Sequence, residues 1–181
     1  MTIDKDCCKD NKNSKEKKEN KENTGSFDTP EQSRARLRAM RILGDRVFSS
    51  HEMEKRLLSK GETPEMARET VEWLERIGAV NDKDYAEAIV RHYSSKGYGI
   101  AKIRDELHRR GIPRSEWDGA IEEMEGEGND EAVRRFLEKK LAGSRDKDDI
   151  RRATDALCRR GFDYEAARSA VARYLESIED I

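Results

Sequence analysis

Little in this chain can interrupt a helix, cross-link it or carry it through a membrane. Three prolines in 181 residues leave long stretches without a helix breaker. Three cysteines, two of them adjacent as Cys7 and Cys8, give neither an even disulfide framework nor a C-x-x-C metal spacing. A reduced, cytoplasmic setting is therefore expected. No apolar run approaches the ~18 residues that span a bilayer, and the N-terminus lacks the apolar stretch of a secretory signal. Apolar residues are only 34% of the chain and aromatic ones 6%, against 42% charged. That composition disfavours one deep interior and predicts thin helical layers with a large solvated surface. Runs of β-branched residues are scarce, whereas Ala, Leu, Glu, Arg and Lys dominate. The fold class read from this is all-α.

What the chain does have is a period. Gly61, Gly111 and Gly161 recur at intervals of fifty, each preceded at four residues by Leu57, Leu107 or Leu157 and immediately by Lys60, Arg110 or Arg160. A fixed repeat of this length marks a modular array in which each unit hides its apolar face against its own helices and its neighbours. Three tandem three-helix repeats are expected at 31–80, 81–128 and 129–181, forming an elongated, curved rod. Residues 1–30 stand apart, since Lys9 to Glu22 is almost wholly Lys, Glu, Asn and Ser. This segment is read as a disordered tail. Its seven Lys and seven acidic residues cancel, so it is no basic nucleic-acid arm.

Within unit 1, Leu37, Met40, Leu43 and Val47 recur every three or four residues, predicting a first helix over 31–48 with these side chains inward. Ser49 and Ser50 read as the N-cap of a second helix that ends at Gly61, and Thr63–Pro64 as the start of a third. Unit 2 repeats the plan with Tyr85, Ala86, Ile89, Val90 and Tyr93, then Ile100, Ile103 and Leu107, then Trp117, Ile121 and Met124. Unit 3 uses Val133, Phe136 and Leu137, then Ile150, Ala153 and Leu157, then Ala167, Val171 and Tyr174. Leu43, Val90 and Leu137 lie forty-seven apart, not fifty. The connection between first and second helices is thus expected to lengthen by three residues per unit, with flexibility concentrated at Gly97, Gly99, Gly143 and Ser144.

Charge follows the same period. Lys and Arg outnumber Asp and Glu in the first two helices of every unit, eight to three over 34–60, eight to six over 81–116 and ten to five over 132–160. The third helices are acidic, at two to five, none to seven and two to five over 61–80, 117–131 and 161–181. A net charge of −2 hides this segregation. Stacked units would align a basic strip on one side, suited to a partner that is itself a long charged polymer.

The stretch Asn81-Asp82-Lys83-Asp84-Tyr85-Ala86, with Lys96-Gly97-Tyr98-Gly99 and Ile103 through Ile112, resembles the central signature of the RecX family of bacterial recombination regulators. The resemblance extends over about 34–178. It implies a protein that binds the RecA recombinase, lies in the groove of its filament on single-stranded DNA, and restrains ATP hydrolysis and strand exchange in DNA repair and recombination. The matching positions are Asp82, Tyr85, Lys96, Gly97, Gly99, Leu107, Arg110 and Gly111. Asp82 reads as a helix N-cap, Tyr85 and Leu107 as core, and the glycines as backbone requirements. Candidate contacts to RecA or DNA are Arg91, Lys96, Lys102, Arg104, Arg109 and Arg110 in unit 2, with Arg151, Arg152, Arg159 and Arg160 in unit 3. The chain is expected to act as a monomer. It departs from a typical member in its charged tail and in the acidic stretch Glu122 to Glu131, which leaves open how tightly units 2 and 3 pack.

Catalysis finds no seat in these residues. His51, His92 and His108 fall in different elements without partners at metal spacing, and no phosphate-binding loop or nucleophile motif is present. No cofactor and no enzymatic activity are expected. The rival reading is a nucleic-acid-binding helical module that acts without RecA. Against it, the few aromatic residues occupy core registers and not base-stacking positions. Against a scaffold for some unrelated protein filament, only the family resemblance speaks.

Overall fold

A computed structural model describes residues 29–127 and 130–178. The disordered tail expected over 1–30, with Cys7 and Cys8, lies outside these residues except for Thr29 and Pro30, which already begin the first helix. Nine α-helices are present among the described residues, and no strand: α1 Pro30–Leu43, α2 Ser50–Ser59, α3 Pro64–Arg76, α4 Asp82–Ser95, α5 Ile100–Arg109, α6 Asp118–Glu127, α7 Asp130–Leu141, α8 Lys147–Arg159 and α9 Tyr164–Ser177. A single 3-10 turn, Arg114–Glu116, precedes α6.

Six of the helices, α1 to α4, α8 and α9, start where a side chain accepts orphan amide protons. Thr29 with Gln32 and Ser49 with Glu52 form capping boxes, Thr63 caps α3 ahead of Pro64, and Asp146 and Asp163 cap α8 and α9. The cap of α4 is Asn81, which accepts from the amides of Lys83 and Asp84. Asp82, read from the sequence as that cap, is the first residue of the helix and its carboxylate is used elsewhere.

Three separate cores follow from this. Ala39, Met53, Leu57, Val71 and Leu74 fill the first, formed by α1 to α3. Ala86, Ile89, Ile103, Leu107, Trp117 and Ile121 fill the second, formed by α4 to α6. Val133, Leu137, Leu157, Val171 and Tyr174 fill the third, formed by α7 to α9. Substantial helix-on-helix packing stays inside these groups. Burying one full Leu side chain is worth about 2 kcal/mol, so each thin core depends on nearly all its members.

Two expectations are corrected. First, α1 ends at Leu43, and its buried residues are Ala35 and Ala39, while Leu37, Met40 and Val47 are 53%, 45% and 65% exposed. The small alanines lie four apart and let the helix approach α2 and α3, a face the larger apolar side chains disguised. Second, the loops between first and second helices do not lengthen, running 44–49, 96–99 and 142–146. The additional residues are helical: α4 continues to Ser95, five past Val90, and α8 has 13 residues where α2 and α5 have 10.

The repeated Leu-x-x-cation-Gly signature is a helix stop. The residue after each glycine donates its amide to the carbonyl of that leucine: Glu62 to Leu57, Ile112 to Leu107, and Phe162 to Leu157, at 3.2 Å each. This closure turns the chain through a left-handed residue. Gly111 and Gly161 supply it at φ 69° and 92°.

Candidate functional site

The second helices of units 2 and 3 carry the largest share of the candidate cations, and the three second helices touch end to end. At the junction of units 2 and 3, the Gly99 amide donates to the Arg160 carbonyl at 2.9 Å and the Ala101 amide to the Gly161 carbonyl at 3.3 Å. Orphan amides at the start of α5 are thereby satisfied by orphan carbonyls at the end of α8. The dipoles of the two helices meet with opposite ends together, which is the favourable arrangement. Gly99 provides no side-chain cap of its own. It has no room for one, because a β-carbon there would lie 2.4 Å from the Gly161 carbonyl oxygen. A β-carbon on Gly161 would likewise fall 2.4 Å from the Lys102 amide nitrogen. The expectation that Gly97 and Gly99 form a flexible loop is replaced by a docked turn.

Arg160 fastens this junction with its side chain. Its guanidinium donates to the Lys96 carbonyl at 2.6 Å and to the Gly97 carbonyl at 3.3 Å. The same group lies 4.8 Å from the ring centre of Tyr98 in unit 2 and 3.8 Å from that of Phe136 in unit 3. One cation is thus shared by an aromatic residue from each core.

The junction of units 1 and 2 occupies the positions fifty residues earlier. Ser49 Oγ, fully buried, donates to the Arg110 carbonyl at 2.6 Å, and the His51 ring packs where a β-carbon on Gly111 would stand. The Asp82 carboxylate accepts from the Ser50 amide at 2.8 Å and from Ser50 Oγ at 2.6 Å. A negative charge is so placed at the N-terminus of α2. Beside it, burial first and then the neighbouring Asp82 carboxylate raise the pKa of Glu75. The end of α8 therefore meets the start of α5, and the end of α5 meets the start of α2. The series stops at Lys60–Gly61, where the Lys60 carbonyl accepts from Arg38 of its own unit at 3.0 Å and a β-carbon on Gly61 would meet nothing within 4 Å.

The candidate residues divide accordingly. Arg110 and Arg160 are half-buried and committed to internal contacts. Arg110 Nη1 donates to the Tyr85 hydroxyl, and its Nε and Nη2 reach Glu106 at 2.9 and 2.7 Å. Arg109 grips the same carboxylate at 3.1 and 2.6 Å while keeping 70% of its side chain in solvent. The Tyr93 hydroxyl adds a further bond to Glu106. Held chiefly by Arg109, against the opposing effect of burial and with help from Arg110, the Glu106 carboxyl is lowered to about 2. Burial pushes the Tyr85 and Tyr93 hydroxyls up.

Arg91, Lys96, Lys102, Arg104, Arg151, Arg152 and Arg159 are exposed. Arg91 pairs with Glu87 at 3.4 Å and Arg152 with Asp149 at 2.8 Å, and Lys96 Nζ lies 3.0 Å from His92 Nε2. Such surface pairs are worth little and yield readily to a partner's charge. Lys102 and Arg109 on α5 occupy the positions of Arg152 and Arg159 on α8, fifty residues on, whereas unit 1 has Glu52 and Ser59 there. Seven residues along a helix bring side chains back to one face, about 10 Å apart. The junction residues Ser49, Ser50 and Gly161 were not read as site-forming from the sequence. Their signal was the fifty-residue offset shared by Ser49 with Gly99 and by Arg110 with Arg160.

Comparison with known proteins agrees with the fold. Residues 81–121 match the family model for the second three-helix domain of RecX. The regulatory protein RecX of Pseudomonas putida is 34% identical over 138 residues, covering 75% of this chain and 86% of that protein. The RecX of Xanthomonas campestris pv. campestris is 36% identical over 143 residues, covering 77% and 86%. In structure, the chain is similar to crystalline RecX from Lactobacillus salivarius, with a TM-score of 0.69 at 20% identity over 83% of this chain and 98% of that one. With three stacked helical units and this extent of shared sequence, the chain belongs to the RecX family of regulatory proteins.

Proposed function

We propose that this protein binds the filament of a RecA-type recombinase on single-stranded DNA and restrains its ATP hydrolysis and strand exchange during DNA repair and recombination. It acts as a monomer in the bacterial cytoplasm, without a cofactor. The observation that carries this reading is the end-to-end contact of α8, α5 and α2, which joins the cationic positions of units 2 and 3 into one series. Arg91, Lys96, Lys102, Arg104, Arg109, Arg151, Arg152 and Arg159 form the contact surface, meeting acidic RecA side chains or DNA phosphates. Arg110 and Arg160 contribute from within the scaffold. A modular array suits a helical polymer because several weak contacts on successive protomers add through effective concentration.

The test is RecA ATPase on single-stranded DNA, with RecA in excess and at several salt concentrations. Inhibition of fully saturated filaments, weakening as salt rises, is the expected result. An effect proportional only to bare DNA, vanishing once filaments cover it, would instead identify a nucleic-acid-binding module that acts without RecA.

A further inference from the structure

Arg160 has the charge of a contact residue and the surroundings of a fastener. Its Nη1 donates to two carbonyls of unit 2, its charge lies over the rings of Tyr98 and Phe136, and its own carbonyl receives the Gly99 amide. Among the described residues no extensive helix-on-helix packing joins units 2 and 3, so few bonds set the direction of α5 relative to α8. We propose that Arg160 is a positioning residue: it fixes the cations of α5 in register with those of α8 and does not itself touch the partner. Its functional consequence rests on the filament reading above, but its geometry does not.

The broad, weakly hydrated guanidinium lies against two rings while one of its nitrogens donates to two carbonyls; an ammonium can make the donations but is too compact and too strongly hydrated to cover both rings. Arg160→Lys keeps the charge and loosens the fastener, and Arg160→Ala removes it. The arrangement is read by pulsed dipolar distance measurement between spin labels on exposed Asp105→Cys in α5 and Asp155→Cys in α8, with Cys7 and Cys8 changed to Ser and Cys158 to Ala. The full-length protein should give a narrow distance distribution that broadens in both Arg160→Lys and Arg160→Ala, with helix content unchanged by circular dichroism. Inhibition of saturated RecA filaments should weaken about tenfold in both variants, as expected when linked contacts lose their geometry. Arg159→Ala, the exposed neighbour, should weaken inhibition while leaving the distances narrow.

Narrow distances in both Arg160→Lys and Arg160→Ala overturn the proposal, and full inhibition by Arg160→Lys beside a loss in Arg160→Ala then makes Arg160 a direct charge contact. Broadened distances with undiminished inhibition overturn it equally. If the unaltered protein fails to inhibit RecA at all, the filament reading falls, while the distances still decide whether Arg160 fixes the junction.

Discussion

Between units 1 and 2 the helix ends are joined largely by side chains, Ser49 to a carbonyl and Asp82 to an amide and a hydroxyl. Between units 2 and 3, at the same place in the repeat, backbone meets backbone through Gly99, Ala101, Arg160 and Gly161. The first design needs particular polar residues and is open to change in any of them. The second requires the absence of side chains at Gly99 and Gly161 and a single arginine to hold the turn. Both solve one problem, the unpaired amides and carbonyls that every helix leaves at its ends.

Substitutions at matched positions separate the backbone requirement of the glycine from the docking it permits. Gly161→Ala should be the most damaging, by about 3–4 kcal/mol, since a strained left-handed alanine is added to a backbone collision. Gly61→Ala, with the same left-handed backbone but open space around it, should cost only about 1 kcal/mol. Urea unfolding midpoints of the two variants give the difference directly, and equal losses would mean the junction contributes nothing.

Glu106→Gln leaves Arg109 and Arg110 without their buried counter-charge and should cost about 3 kcal/mol at neutral pH. The sign with pH follows from the lowered carboxyl. Its contribution is complete above the ordinary carboxylate range near ~4.3 and disappears as pH falls through about 2. Thermal melts of the two proteins should therefore converge on acidification between those limits, and a gap that stays constant with pH would contradict the ion-pair account.

Ser49→Ala removes a helix cap and an inter-unit bond together, for about 1–2 kcal/mol by unfolding. Arg38→Ala, which uncovers the unused end at Lys60 and removes the pair with Glu62, should cost about 1 kcal/mol and leave the other junctions unchanged by hydrogen exchange.

The sequence was legible where its pattern was repeated three times. The leucine-cation-glycine stop, the caps at Ser49 and Thr63 and the core positions Leu107, Trp117 and Val171 all stand where periodicity puts them. It was misleading at α1, where Leu37 and Met40 satisfy helical spacing as well as Ala35 and Ala39 do. Spacing alone cannot tell a close-packed small face from an exposed large one. Gly97 and Gly99 misled for a related reason: glycine marks both mobile turns and places where another backbone comes close, and only the third dimension tells them apart. The exposed cations could be named from charge alone, but Arg160 could not be separated from Arg159 until Tyr98, Phe136 and the two carbonyls were placed around it.

Amide hydrogen exchange at Gly99 and Ala101 tests the docked repeat most directly. Amides at the start of a helix ordinarily exchange fast, having no partner within it. Docking predicts slow exchange at these two, slower than at Glu165 in the first turn of α9, with protection lost in Arg160→Ala. Exchange at Gly99 and Ala101 as rapid as at Glu165 would mean that α5 and α8 do not meet in solution.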